Sequence, residues 1–189
     1  MKHEIKNLIE KMTTEELRTR LAEYMNADIR LMSPLVAVAV KPYKKYNARC
    51  RYDVVLIDEE GRETSVEFDG RYSKLMYIYT LLQPKGYQRY MLERDNYLVL
   101  RRLFNLLFLC EDDVLLKSIK RGDIHERGQF FSQNISRSRN AIRTASPFAE
   151  SFVINDPRSH NGWALIPFVA QGGKVIIDES IMNVMSKFN

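Results

Sequence analysis

The sequence predicts an α+β fold in which an N-terminal helical extension precedes a small antiparallel sheet, a helical bundle and a C-terminal β-hairpin. Three observations predict it. Apolar residues alternate with a period of two in three runs between residues 34 and 69, then recur after Gly70 with a period of about 3.6. The stretch 129–145 is apolar on one side and carries no carboxylate anywhere. Two short apolar runs, 151–155 and 162–168, flank the polar hexapeptide DPRSHN at 156–161. The divisions that follow are 1–33 for the extension, 34–168 for the domain, and 169–189 for a closing strand and short helix.

Thr13-Thr14-Glu15-Glu16 is a capping-box pattern, in which a threonine hydroxyl takes an orphan helix N–H while Glu16 reaches back to the start of the turn. Leu17, Leu21 and Tyr24 then recur on one helical face and, with residues 3–12, predict a helical pair. Residues 34–41, 51–58 and 63–69 are strands, and Glu59-Glu60-Gly61-Arg62 is the tight connection that makes them a meander. Tyr72, Leu75, Met76, Tyr79 and Leu82 form the next helix, stopped by Pro84 and Gly86. Asp95 or Asn96 caps another, running through Leu100, Phe104 and Leu107 toward Cys110. A short third helix follows Asp112, with Val114, Leu115 and Ile119 inward. The basic helix comes next, then the hairpin, and then a strand at 174–177 with a final helical turn.

The chain of 189 residues is 45% hydrophobic, enough for a real core, and carries a formal net charge of +5. That balance favours acidic partners. LVAVAV (35–40) and LFNLLFLC (103–110) fall far short of the roughly 20 residues a bilayer requires, and MKHEIKNLIEK alternates charge where a signal peptide is apolar. A cytoplasmic protein without a membrane partner is expected. Cys50 and Cys110 lack CxxC or Cys/His spacing, so they read as reduced thiols. Glu111, Asp112 and Asp113 read as first-turn acids favoured by a helix dipole, because no spaced ligands accompany them. His3, His125 and His160 are scattered, and neither a nucleophile elbow nor a phosphate-cradling loop occurs. No enzyme, metal or cofactor is expected.

In FFSQNISRSRNAIRT (130–144), Phe131, Ile135, Ser138 and Ile142 share a narrow sector that must dock on a core. Gln129, Gln133, Ser136 and Asn140 lie opposite, flanked by Arg139 and Arg143 on one side and Arg137 on the other. The nearest acids in sequence are Glu126 and Glu150, so the helix has no i,i+4 partners of opposite sign within itself. A basic helix followed by a hairpin is what a winged helix-turn-helix requires, with the helix in the major groove and the hairpin on neighbouring phosphates or the minor groove.

NISRSRNAI (134–142), followed by FVIND and then NGWALI (161–166), resembles the winged-helix effector domain of OmpR/PhoB-type response regulators. YSKLMYIYTLLQPKG (72–86) and the preceding sheet stand where that family has its first helix and N-terminal sheet. The resemblance spans roughly 35–168. Ser138 stands where the family usually has leucine, the wing turn is N-G-W, and 111–126 reads as an insertion. The stretch before the sheet is too short for a receiver domain, so control by aspartyl phosphorylation is not carried over.

The resemblance implies a sequence-specific transcriptional regulator of double-stranded DNA. Arginine pairs with guanine and Asn or Gln with adenine, which makes Gln133, Arg139, Asn140 and Arg143 the expected base readers. Ser136 and Arg137 are expected on phosphates, and Arg158 and His160 at the wing tip. If about four to six phosphates are neutralised, log K falls against log salt with a slope of roughly −4 to −5. The alternative is a winged-helix protein–protein interaction module without DNA specificity. Trp163 is assigned to the core or the base of the wing. The basic stretch 41–51 reads either as a backbone-tracking loop or as a charge-protected edge. Leu8, Leu17, Leu21 and Tyr24 offer a surface for a homodimer, or pack on the sheet.

Overall fold

The computed structural model describes residues 13, 14, 16, 19, 33–47, 50–88, 94–108, 124–157 and 162–186. The chain divides into two compact units, Met1–Pro34 and Leu35–Asn189. In the first, the capping box forms. The Thr13 amide and hydroxyl donate to Glu16 Oε2 at 2.8 and 2.9 Å, and the Glu16 amide donates to Thr13 Oγ1 at 3.3 Å. Leu8, Leu17, Leu21 and Tyr24, on which a homodimer would depend, lie outside the described residues.

The second unit is α+β, as expected. Strands β1 (Leu35–Asn47), β2 (Cys50–Asp58) and β3 (Glu63–Ser65) form the antiparallel meander. Asp58 organises its tight turn: Oδ1 accepts from the amides of Glu60 and Arg62, both at 2.9 Å, and Oδ2 accepts from Arg62 Nε at 2.8 Å. Gly61, at φ +77°, supplies the left-handed residue the turn needs. The basic stretch 41–51 proves to be mostly strand: β1 runs on to Asn47, with an irregularity in register between Pro42 and Asn47. Lys41 is ion-paired with Glu63, and the side chains of residues 44–49 lie outside the described set.

One sheet face builds the core. Val38 and Val40 of β1 and Val54 and Leu56 of β2 are fully buried and pack beneath the helices. Helix α1 (Arg71–Leu81) is central, with every residue from Ser73 to Leu81 buried. A helix buried all round must satisfy its polar side chains internally. Thr80 Oγ1 donates to the Met76 carbonyl at 2.7 Å, and the Lys74 ammonium lies 3.5 Å from Asp53, which also accepts from Ser65 Oγ at 2.6 Å. The Tyr77 hydroxyl donates to the Phe152 carbonyl at 3.0 Å. Burial raises the Tyr77 phenol well above its ordinary range and Tyr79 to about 12, so both stay neutral.

After α1 come β4 (Tyr87–Gln88), α2 (Arg94–Leu107) and α3 (Ile124–Ala145). Helix α3 begins five residues earlier than the apolar stripe suggested, with Gly128 inside it. The predicted short helix after Asp112 lies outside the described residues.

The expected hairpin is corrected. Residues Glu150–Phe152 form a 3₁₀ turn where a strand was expected, and β5 (Trp163–Ala164) pairs antiparallel with β4, not with residues 151–155. The limbs of the former hairpin meet at one rung, where the Asn155 amide donates to the Leu165 carbonyl at 2.9 Å and the Leu165 amide to Asn155 Oδ1 at 2.8 Å. Apolar runs of five and seven residues do not distinguish a hairpin limb from an extended segment buried for its side chains, and Phe152, Val153 and Ile154 are all buried.

A short helix, α4 (Pro167–Ala170), then leads to β6 (Lys174–Ile177) and α5 (Glu179–Ser186). The strand order is β3-β2-β1-β6, and β6 runs parallel to β1 with Val38 opposite Val175. The closing strand β6 thus completes the main sheet, and Ile181 of α5 is fully buried in the shared core. Among the described residues, no helix is long and apolar enough to cross a membrane.

Candidate functional site

Helix α3 presents two faces. Inward, Phe130, Phe131, Asn134, Ile135, Ser138, Ala141 and Ile142 are buried. Tyr72 of α1 meets Phe130 edge-on at 5.3 Å, and Tyr87 of β4 lies 6.2 Å from Phe131. Ser138, 0% exposed, explains why leucine is absent. Its hydroxyl lies 2.6 Å from the Ser73 carbonyl of α1 and 2.7 Å from the Asn134 carbonyl, sharing one proton where the two helices approach too closely for a branched side chain. Asn134 turns back to donate to the Phe130 carbonyl at 2.8 Å.

Outward, Gln129, Ser132, Gln133, Ser136, Arg137, Asn140, Arg143 and Thr144 are all exposed. Each has another of the set three or four residues away, which gives a continuous polar stripe opposite the docked face. Of the expected site residues, Gln133, Ser136, Arg137, Asn140 and Arg143 are therefore brought to one surface. Arg139 is not: its side chain is only 23% exposed, and its Nε is buried without a hydrogen-bond partner. Arg158 and His160 lie outside the described residues.

The expectation of unbalanced positive charge is corrected. Arg137, Arg139 and Arg143 each have a carboxylate near them that lies outside the helix. Arg143 donates through Nε and Nη2 to Glu150 Oε2 and Oε1 at 2.9 and 2.6 Å, a bidentate pair with the 3₁₀ turn. Arg139 Nη1 is 3.6 Å from Asp156 Oδ2, and Arg137 Nε is 4.0 Å from Asp69 Oδ2. The hydrogen bond from Arg143 holds the Glu150 carboxyl below its ordinary range despite the opposing cost of burial. Reading charge along the helix alone missed Asp69, Glu150 and Asp156. Only Glu150 left a trace in the sequence, as the first acid after Arg143.

These pairs differ in grip. Arg137 and Asp69 are 55% and 90% exposed, and Arg143 and Glu150 are 43% and 72% exposed. Pairs so solvated are worth only about 0–1 kcal/mol. Another anion or hydrogen-bond acceptor can exchange with either carboxylate. Arg139, mostly buried, instead anchors the loop base to α3.

That loop base is well defined. Beyond the Asn155–Leu165 rung, the Gly162 amide donates to the Pro157 carbonyl at 2.7 Å, pinching the loop shut at both ends of its described flanks. Trp163, 40% exposed on β5, stands at this base and not in the core. Among the described residues, no cluster of three metal-ligating side chains occurs.

Compared with family models, curated proteins and solved structures, the chain matches none.

Proposed function

We propose that the Leu35–Asn189 unit binds double-stranded DNA, with α3 in the major groove and the loop 156–161 against the neighbouring backbone as the counterpart of a wing. The observation that carries this reading is the outward stripe of α3. It presents amides, hydroxyls and two solvated guanidinium groups at successive turns, contains no carboxylate, and sits opposite a face docked on α1. Base reading falls chiefly to Gln133 and Asn140, whose amides match the adenine edge, and to Arg143 once Glu150 lets go. Arg137 and Ser136 serve phosphates. Arg139 leaves the list of base readers and becomes the strut that holds Asp156.

The ion pairs change the expected electrostatics. Because opening Arg137 and Arg143 sets their carboxylates free, the salt slope should be shallower than −4, about −2 per protomer. Selection from a pool of random duplexes tests the reading. A motif should be enriched, and Asn140→Ala should relax it at one base step at a cost of about 1–3 kcal/mol.

A second reading, an interaction module for another protein, is favoured by the same three ion pairs, which leave α3 close to neutral. Failure of the wild-type chain to enrich any duplex would decide for it.

A further inference from the structure

A cavity of about 810 Å³ opens on the side of the second unit where α1 ends, walled by Leu81, Leu82, Val169, Val175, Ile177 and Met182. Among the described residues, its lining contains one cation, Lys85, one neutral amide, Gln83, and no carboxylate. Lys85 is exposed, and no ion pair holds it among the described residues. Met182 is 49% exposed although its neighbour Ile181 is fully buried, so a flexible, polarisable side chain stands half-exposed at the opening. Pro84 and the left-handed Gly86, at φ +74°, fix the turn that carries Lys85, and Gly86 is packed so closely on β5 that a Cβ there would come within 2.9 Å of the Ala164 carbonyl oxygen. The cation is thus mounted on a rigid turn beside an apolar hollow of a size typical of small-molecule sites.

We propose that this cavity binds a small amphipathic carboxylate, its hydrocarbon body against Leu81, Val175, Ile177 and Met182 and its head paired with the Lys85 ammonium. The site is separate from α3 and does not rest on the DNA reading. Apolar walls alone would take any greasy molecule. Lys85 makes the difference, because its charge favours an anion and penalises a second cation.

The test uses the full chain and decanoate, below its micellar concentration, with decanol as the uncharged counterpart, both followed by titration calorimetry. Decanoate should bind saturably at one per chain. Lys85→Gln should weaken decanoate about fivefold, the scale of an exposed ion pair, and leave decanol unchanged. Met182→Trp, at a half-exposed position that tolerates the larger ring, should fill the opening and weaken both ligands, and thermal melting checks that each variant folds. Three results would overturn the proposal: no saturable decanoate binding, decanoate binding unmoved by Lys85→Gln, or binding unmoved by Met182→Trp.

Discussion

Ser138 shows how one hydroxyl sets the spacing of two helices. Replacing it with alanine removes a bond shared between two buried carbonyls, and the expected loss is about 1 kcal/mol. Leucine, which is better for the apolar stripe on paper, would force α3 away from Ser73 and should cost more, about 1–3 kcal/mol by urea unfolding. Asp58 makes a prediction in pH. Burial pushes its carboxyl up, but the Arg62 side chain and the amides of Arg62 and Glu60 outweigh this, so its value in the fold lies below the ordinary 3.8. A depressed carboxyl contributes stability that is complete above its unfolded value and is lost as pH falls through the folded one. Acid unfolding below about pH 4 should therefore become less steep in Asp58→Asn, measured as the midpoint of thermal melting against pH. Gly86→Ala should be destabilising by about 1–3 kcal/mol, since it combines a left-handed backbone with a contact against Ala164.

At the scale of elements, the strongest signals in the sequence were periodicities, and they located the sheet, α1, α2 and α3. The inward stripe Phe131, Ile135, Ser138 and Ile142 is buried in full. Ile142→Ala should accordingly cost about 2–5 kcal/mol, since it empties a fully enclosed site. What the sequence could not convey was pairing across distance. The partner of β5 is β4, which precedes α2 and α3 in the chain, and the partners of Arg137 and Arg139 come from a strand-to-helix turn and a loop. Nothing in a local window encodes those encounters. The Arg143–Glu150 pair can be weighed by a double-mutant cycle, for which the expected coupling is about 0.2–1 kcal/mol and should shrink as salt is added. A coupling well above that range would mean that Arg143 is locked and would remove it from the proposed interface.

For the molecule as a whole, the decisive contact is the parallel pairing of β6 with β1, which joins opposite ends of the Leu35–Asn189 unit. A chain ending at Gly173 would expose the open side of β1 and lose the burial of Ile181, and it should be less stable by about 3–5 kcal/mol or fail to melt cooperatively. The parallel arrangement also has a consequence for biosynthesis. A polypeptide emerging from the ribosome would present the bare hydrogen-bonding rim of residues 37–40 throughout translation of α1, α2 and α3, because β6, which zips onto it, is synthesised after them. Over that interval the valine-rich rim is a template for pairing with other nascent chains, and a chaperone that shields it should raise the yield of monodisperse protein.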